Sequence, residues 1–354
     1  ERLAAGATLP LAQPARHYAI VDLVSWRSDE TLRGLAEEVL AARPPEVRRF
    51  LRLTSVAERL CASLAEELTG QVGGQRVLES LAAENTFVVG LGPGRKWYRY
   101  HTLLRQTLRH RLAVEAPNEV AGLHVRAALW LAENGQPLAG LRHAAQAQDW
   151  QLMGRLLVTR ALPLSLSAER SALALALSRI PPDQLATTPE LAVAAATRTF
   201  LDNRLAEIEP HLALARELTP STDPVVSAGS QVGQLLLATA VARTHGDSKQ
   251  LVEVTTRALQ VLEATGATLP AARAYRAIAL SNRGTGQLWE GRLSGAEHTL
   301  RAGLAEAGPA AVDAGRVNLL SHLALSAAIC GRLTTAHGLA TNAIDIVEER
   351  GWAP

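Results

Sequence analysis

At 354 residues, the chain is long enough for two or three ordinary domains or for one extended array of helical repeats. Hydrophobic residues make up 47% of it but aromatic residues only 4%, which favours closely packed Ala- and Leu-rich helices over disorder or a β-sandwich. The formal net charge of +2 gives no global basic field of the kind that indicates nucleic-acid binding.

The sequence shows neither a secretory leader pattern nor an apolar run of about 18 residues without charges, so we expect a cytoplasmic protein without a membrane partner. Cys61 and Cys330 lie far apart in apolar helical patterns, which predicts two buried thiols rather than a disulfide. The chain begins at Glu1 and has Met153 as its only methionine, which indicates a segment of a longer polypeptide.

Residues 1–27 predict an extended lead-in, and residues 28–112 predict a winged helix. In the second segment Ser28 is placed to cap a first helix. Three further helices follow, in which Leu60 is expected on a helical face and Gly70 at a helix end. Their sequences are PPEVRRFLRLTSV, ERLCASLAEELTG and RVLESLAAEN. The β-rich runs TFVVGL and KWYRYH flank GPGR, which indicates a hairpin.

The chain from residue 113 onward predicts helices only, with first helical pairs over 113–200 and tetratricopeptide-like repeats over 201–354. Helix-turn residues recur at intervals of 43, 45 and 40 residues, at Asn203, Gly246, Gly291 and Gly331. Five positions after each turn stand Ile208, Leu251, Ala296 and Ala336, which we expect to be buried where paired helices meet. Such pairs cover one another's apolar faces, so the predicted fold is all-α apart from one hairpin, with the winged helix followed by an α-solenoid superhelix.

The glycine-rich turn GPGRK does not fit a phosphate-binding loop, because a strand rather than a helix follows Lys96 and no hydroxyl residue comes after it. The basic stretch that ends near Leu112 turns acidic at once, which is typical of a helix C-terminus. We therefore expect neither ATP hydrolysis nor sequence-specific DNA binding by this chain. Its histidines and cysteines form no metal-binding pattern, and no catalytic motif is present, so we expect no metal site and no enzyme.

The stretches RRFLRLTSVAERLCASLAEELTG, WYRYHTLLRQTLRHRL and HVRAALWLAENG closely resemble segments of the MalT and LuxR-type branch of the STAND signalling ATPases. The resemblance covers roughly residues 33–160 and continues more weakly to the end of the chain. It implies an order of ATPase domain, winged helix, helical sensor and LuxR-type DNA-binding domain, of which this chain holds the middle two. ATP or ADP is then the cofactor of the full-length protein, and none is expected in this segment.

Within the resemblance, YRYHTLL is similar to the Met-His-Asp motif, whose histidine contacts the β-phosphate of ADP in related signalling ATPases. His101 is the matching residue, Tyr100 stands at the methionine position, and Thr102 replaces the aspartate. A position before a helix N-terminus suits an anion. A capping or core role for His101 is the alternative.

The implied function is signal sensing in a bacterial transcriptional regulator, in which an inducer on the superhelix biases a switch between ADP and ATP states. The inducer is either a small molecule or a protein, and self-association is a further option. A tetratricopeptide scaffold that binds peptides without any transcriptional role is the alternative. Candidate effector residues lie on the first helices of two late repeats: Tyr275, Asn282, Arg283, Gln287, Asn318 and His322.

Overall fold

The computed structural model describes residues 40–84, 87–92, 94, 96–307 and 313–351. The predicted lead-in lies outside these residues, as does the predicted first helix up to residue 39. The chain divides into two compact units, residues 1–123 and 124–354. The finer division into segments 28–112, 113–200 and 201–354 stays a prediction.

The first unit contains the winged helix. Its described elements are α1 (Pro45–Thr54), α2 (Ala62–Thr69), α3 (Gly74–Ala83), β1 (Val88–Leu91), β2 (Trp97–Tyr100) and α4 (Thr102–Glu115). Pro45 opens α1, where the missing N–H is harmless, and Gly70 ends α2 with a left-handed φ of 67°. The two strands pair antiparallel, with Val88 opposite Tyr100, which confirms the predicted hairpin.

The prediction that Leu60 belongs to a helix was wrong. Leu60 exchanges two main-chain hydrogen bonds with Tyr98, of 2.8 and 2.7 Å, and so adds a short third strand position to the hairpin. Cys61 is extended and precedes α2, so the helix begins only at Ala62. Leu60 is nevertheless buried, at 1% exposure, although it reaches the core from the sheet and not from the helix.

A long helix, α5 (Pro117–Glu133), contains the boundary between the units, and every regular element after it in the described residues is a helix. The α-helices that follow are α6 (Pro137–Gln146), α7 (Trp150–Leu156), α8 (Arg170–Leu177), α9 (Pro189–Leu201), α10 (Ile208–Glu217), α11 (Pro224–Thr244), α12 (Ser248–Thr265), α13 (Ala272–Trp289), α14 (Leu293–Ala307), α15 (Asp313–Ile329) and α16 (Leu333–Glu349). A π-helical turn (Leu157–Ala161) and a 3-10 turn (Leu162–Leu166) separate α7 from α8.

The four predicted turns between paired helices are confirmed. Asn203, Gly246, Gly291 and Gly331 all have left-handed φ angles, between 60° and 75°. After each turn the next N–H donates to the carbonyl five residues earlier, at 2.9 to 3.0 Å, as Arg292 does to Gln287. This hydrogen bond satisfies a carbonyl that the end of a helix leaves free. The four helix pairs are therefore α9/α10, α11/α12, α13/α14 and α15/α16.

The predicted contact positions within these pairs are also confirmed, since Ile208, Leu251 and Ala296 are fully buried and Ala336 is 9% exposed. One described helix, α11, is long and apolar enough to cross a membrane, and 56% of its most apolar window is buried inside the protein. Burial of that kind is typical of a core helix.

Cys61 is half-buried and Cys330 is exposed, and both are free thiols. The prediction that both thiols are buried was therefore wrong. Cys330 follows the last residue of α15 and immediately precedes the turn at Gly331, where the chain is open to solvent.

Candidate functional site

A cavity of about 600 Å³ lies in the repeat unit against the first helices of three successive pairs, α11, α13 and α15. The 3-10 turn after the π-helical turn, Phe200 at the end of α9, and Glu306 and Ala307 at the end of α14 also contribute to its wall. Most of its lining side chains are apolar, including Leu162, Leu166, Phe200, Leu236, Ala240, Ala274, Ile278 and Leu319. A volume of this size, with an apolar wall and few polar groups, is typical of a site for a small molecule.

Arg243 supplies a positive charge to this wall. Its guanidinium donates to the Asn282 side-chain oxygen at 3.2 Å and lies 5.7 Å from the centre of the Trp289 ring. Burial lowers the pKa of Arg243, because the surrounding protein disfavours the charged form. Among the described residues Arg243 has no carboxylate partner.

A second polar pair lies beside it, where the Asn318 side-chain amide donates to the Ser281 hydroxyl at 2.7 Å. One turn further along α15, His322 lies 2.8 Å from the carbonyl oxygen of Asn318 through its Nδ1 atom. Burial lowers the pKa of His322, a hydrogen bond to that carbonyl opposes the change, and the nearby charge of Arg243 lowers the pKa further. Beside Arg243, the wall residues Ser281, Asn282 and Asn318 are neutral.

The structure brings three of the six candidate effector residues to the cavity wall: Tyr275, Asn282 and Asn318. Arg283, Gln287 and His322 are not among its lining residues. Arg283 is half-buried and Gln287 is 8% exposed, and each has one buried side-chain atom without a partner in the described residues, Nε and Oε1 respectively. The effector role of all six stays a prediction.

Tyr275 lines the cavity, but its hydroxyl already forms a hydrogen bond within the protein. It donates to the main-chain oxygen of Val158 at 2.6 Å, and burial raises the pKa of the phenol. The ring therefore offers an apolar surface to the cavity, while its polar end supports the packing of the helices.

Sequence reasoning missed Arg243, although a signal for it exists. Arg243 stands three residues before the turn Gly246, and the matching positions of the other pairs hold Phe200, Leu288 and Ala328. The other repeats hold an apolar residue at this position. A charged residue there indicates a site that contacts solvent or a ligand instead of a neighbouring helix.

His101 lies between β2 and α4, at the N-cap position of the helix. Its N–H donates to the carbonyl of Phe87 at 2.7 Å, and its ring is 5.8 Å from the Phe87 ring. The side chain does not cap the helix, and its Nδ1 atom is buried without a partner in the described residues. Behind it, the Tyr100 hydroxyl is hydrogen-bonded to Thr54 at 2.7 Å, which fixes the end of β2. A ring nitrogen is thus held near a helix N-terminus, where an anion is favoured.

Within the part of the chain that the structure describes, no group of three or more His, Cys, Asp or Glu residues could hold a metal ion.

Comparisons with known proteins agree with this architecture. Residues 36–120 match the family described as the MalT winged helix domain. The HTH-type transcriptional regulator MalT of Serratia proteamaculans is 29% identical over 229 residues, which is 64% of this chain and 25% of that protein. The serine/threonine-protein kinase PknK of Mycobacterium tuberculosis is 36% identical over 126 residues, which is 36% of this chain and 11% of the kinase.

Among solved structures, a STAND protein with a tetratricopeptide repeat sensor, PH0952 from Pyrococcus horikoshii, shares the fold. Its TM-score is 0.58 at 12% identity, and the match covers 96% of this chain and 52% of that one. The chain spans about a quarter of the length of the MalT proteins that it matches. Residues 36–120 are therefore similar to MalT winged helix domains, and the chain as a whole shares the fold of a winged helix followed by tetratricopeptide-like helical repeats.

Proposed function

We propose that this chain is the signal-sensing and coupling segment of a cytoplasmic LuxR-type STAND transcriptional regulator. A small-molecule inducer binds the cavity against α11, α13 and α15, and its binding biases a nucleotide switch elsewhere in the polypeptide. The observation that carries this proposal is the apolar cavity of about 600 Å³, whose wall comes from three successive repeats. The partners of the segment are its inducer, an ATPase domain that uses ATP and ADP, and a DNA-binding domain.

The repeat geometry provides a physical basis for sensing. Each of the three helices belongs to a different pair, so a ligand that contacts all three stabilises one arrangement of the pairs over others. A ligand shifts such an equilibrium only by its difference in affinity between the two arrangements. Movement of any one pair would change the shape of the wall, so a ligand that fits the present arrangement would bind another arrangement less tightly.

The relatives support a regulatory role for the segment. Proteins named as transcriptional regulators and a protein named as a kinase share sequence with it, although the outputs in those names differ. Similarity to proteins with different outputs fits a chain that receives signals rather than one that produces the output. The match to the kinase covers only 11% of that protein.

His101 is proposed as the contact through which bound ADP stabilises the resting state. The specific support is its buried Nδ1 atom without a partner in the described residues, at the N-terminus of α4. Completion of this contact requires the nucleotide-binding domain.

Capture of small molecules tests the sensing role. The purified chain is incubated with a metabolite extract, washed, and its bound molecules are identified by mass spectrometry. Ala274→Trp fills the cavity, and Ala264→Trp, on an exposed position of α12, is the matched control. We expect a molecule that is enriched on the wild type and the control but lost from Ala274→Trp. Equal profiles on all three proteins, or no enriched molecule, contradict the proposal; enrichment of a peptide supports the scaffold alternative.

A further inference from the structure

We propose that the cavity selects a small amphipathic organic anion, whose apolar body packs on the leucine and phenylalanine wall and whose acidic group pairs with Arg243. This inference rests on the proposed function, because it names the ligand class of that cavity. Three observations carry it: the charge of Arg243, the state of the other polar groups, and the composition of the wall.

Arg243 is a cation whose charge is not neutralised within the described residues. Its five N–H donors have one described acceptor, the side-chain oxygen of Asn282 at 3.2 Å. The Trp289 ring, 5.7 Å away, adds a favourable but weaker contact. A partly buried charge without a counter-ion is unfavourable, and an acidic group that accepts two of its N–H bonds relieves this directly.

Glu306, the acidic residue among the described wall residues, already has ion-pair partners. Glu306 forms ion pairs with Arg276 at 3.3 Å and with Arg273 at 3.7 Å. Arg273 itself lines the cavity, so the charges around the ligand space sum to a positive value. A cationic ligand would therefore meet two arginines without a free carboxylate.

Apart from Ser165, the neutral polar side chains of the wall are also engaged within the protein, which argues against a sugar or another polyol. Thr239 donates to the carbonyl of Leu236 at 2.6 Å, and the Tyr275 hydroxyl donates to Val158. The amides bond within the protein as well, since Asn282 donates to the carbonyl of Ile278 at 3.0 Å and Asn318 donates to Ser281. A ligand with many hydroxyl groups would lose hydrogen bonds to water without finding replacements.

Two fluorescent probes that share an aromatic body test the inference. Anilinonaphthalene sulfonate carries an anionic group, and N-phenylnaphthylamine is its neutral counterpart. Each is titrated into the wild type, Arg243→Met, Arg243→Lys, Ala274→Trp, and the control Arg257→Met, which changes an exposed arginine of α12 outside the cavity. Melting temperatures show which variants are folded.

We expect Ala274→Trp to weaken the binding of both probes. Arg243→Met should weaken the sulfonate by about tenfold or more and leave the neutral probe unchanged, because only the charged hydrogen bonds are lost. Arg243→Lys should retain part of the preference, and Arg257→Met should retain all of it. The anion inference is overturned if both probes bind with equal affinity and neither Arg243→Met nor Arg243→Lys changes that affinity. The cavity would then remain a binding site without a preference for anions. If Ala274→Trp leaves the affinity of both probes unchanged, the proposed function itself is contradicted.

Discussion

The hydroxyl of Tyr275 donates a hydrogen bond of 2.6 Å to the main-chain oxygen of Val158, 117 residues earlier in the chain. Val158 lies in the π-helical turn Leu157–Ala161, where the wider turn alters the regular pattern of carbonyl hydrogen bonds. The neighbouring carbonyl of Thr159 accepts from the N–H of Ala271 at 3.1 Å. The π-helical turn thus connects directly to the start of α13, next to the cavity.

Tyr275→Phe should lower the free energy of unfolding by about 1–3 kcal/mol, because a buried carbonyl loses its side-chain donor while the ring remains. Urea denaturation followed by circular dichroism measures the change. Thr197→Val is the matched control, since its buried hydroxyl donates to the carbonyl of Val193 within its own helix. That change should be smaller. An equal loss of unfolding free energy in the two variants would show that the long-range hydrogen bond contributes no more than one within a single helix.

Gly229→Ala should also destabilise the fold, by about 1–3 kcal/mol. A Cβ atom at Gly229 would lie 2.7 Å from the oxygen of Val158, which is backbone and cannot move aside freely. Gly338→Ala is the control, because no atom lies within 4 Å of its added Cβ and alanine favours a helix, so a gain of about 0.5–1 kcal/mol is expected. A neutral or stabilising Gly229→Ala in thermal denaturation would contradict the described contact between α11 and the π-helical turn.

An ion pair between the last two helix pairs should make stability depend on pH. The pKa of Glu297 is lowered to about 2, because the guanidinium groups of Arg332 and Arg301 donate to its carboxylate. A carboxylate with a folded pKa below its unfolded value of about 4.3 stabilises the fold above that value, and this contribution is lost as the pH falls towards 2.

Glu297→Gln should therefore lower stability at pH 7, by roughly 1 kcal/mol or less because both arginines are about half exposed. Its difference from the wild type should vanish near pH 2. Urea denaturation across this range measures it, with Glu263→Gln on α12 as the control, since this exposed glutamate forms no ion pair with the described residues. A difference that persists unchanged at low pH would rule out the ion pair as its cause.

His101→Ala tests the proposed nucleotide contact in the complete regulator. Loss of a hydrogen bond to a charged phosphate costs about 1.5–3 kcal/mol, so transcription without inducer should rise more than tenfold. The melting temperature of this chain should fall by less than about 4 °C, because the buried Nδ1 atom makes no hydrogen bond in the described residues. A large drop in melting temperature without constitutive output would assign His101 a structural role.

The sequence predicted the features that depend on local chemistry. Asn203 and Gly246 mark left-handed turns because few other residues adopt that conformation, and the buried positions after them follow from helical spacing. Leu60 was misplaced because a leucine four residues before Leu64 fits a helix, whereas its bridge to Tyr98 depends on a hairpin 38 residues further on.

The cavity was harder to predict because it depends on distant segments meeting. Asn282 and Asn318 were identified from their positions on first helices, but the wall also needs the 3-10 turn Leu162–Leu166 and α11. The run over Leu157–Ala161 carries no proline or glycine that would indicate a break in the helix, so its π-helical turn, and with it the Val158 contact, left no local signal.

The most direct test of the proposed function compares transcription driven by the full-length protein under varied nutrients, using a reporter gene. The variants are Ala274→Trp, which fills the cavity, and Ala264→Trp, which adds the same side chain to the exposed face of α12. If occupancy of the cavity sets the output, Ala264→Trp should respond to the nutrients as the wild type does, and Ala274→Trp should give one constant level. A folded Ala274→Trp regulator that still responds like the wild type would contradict the account.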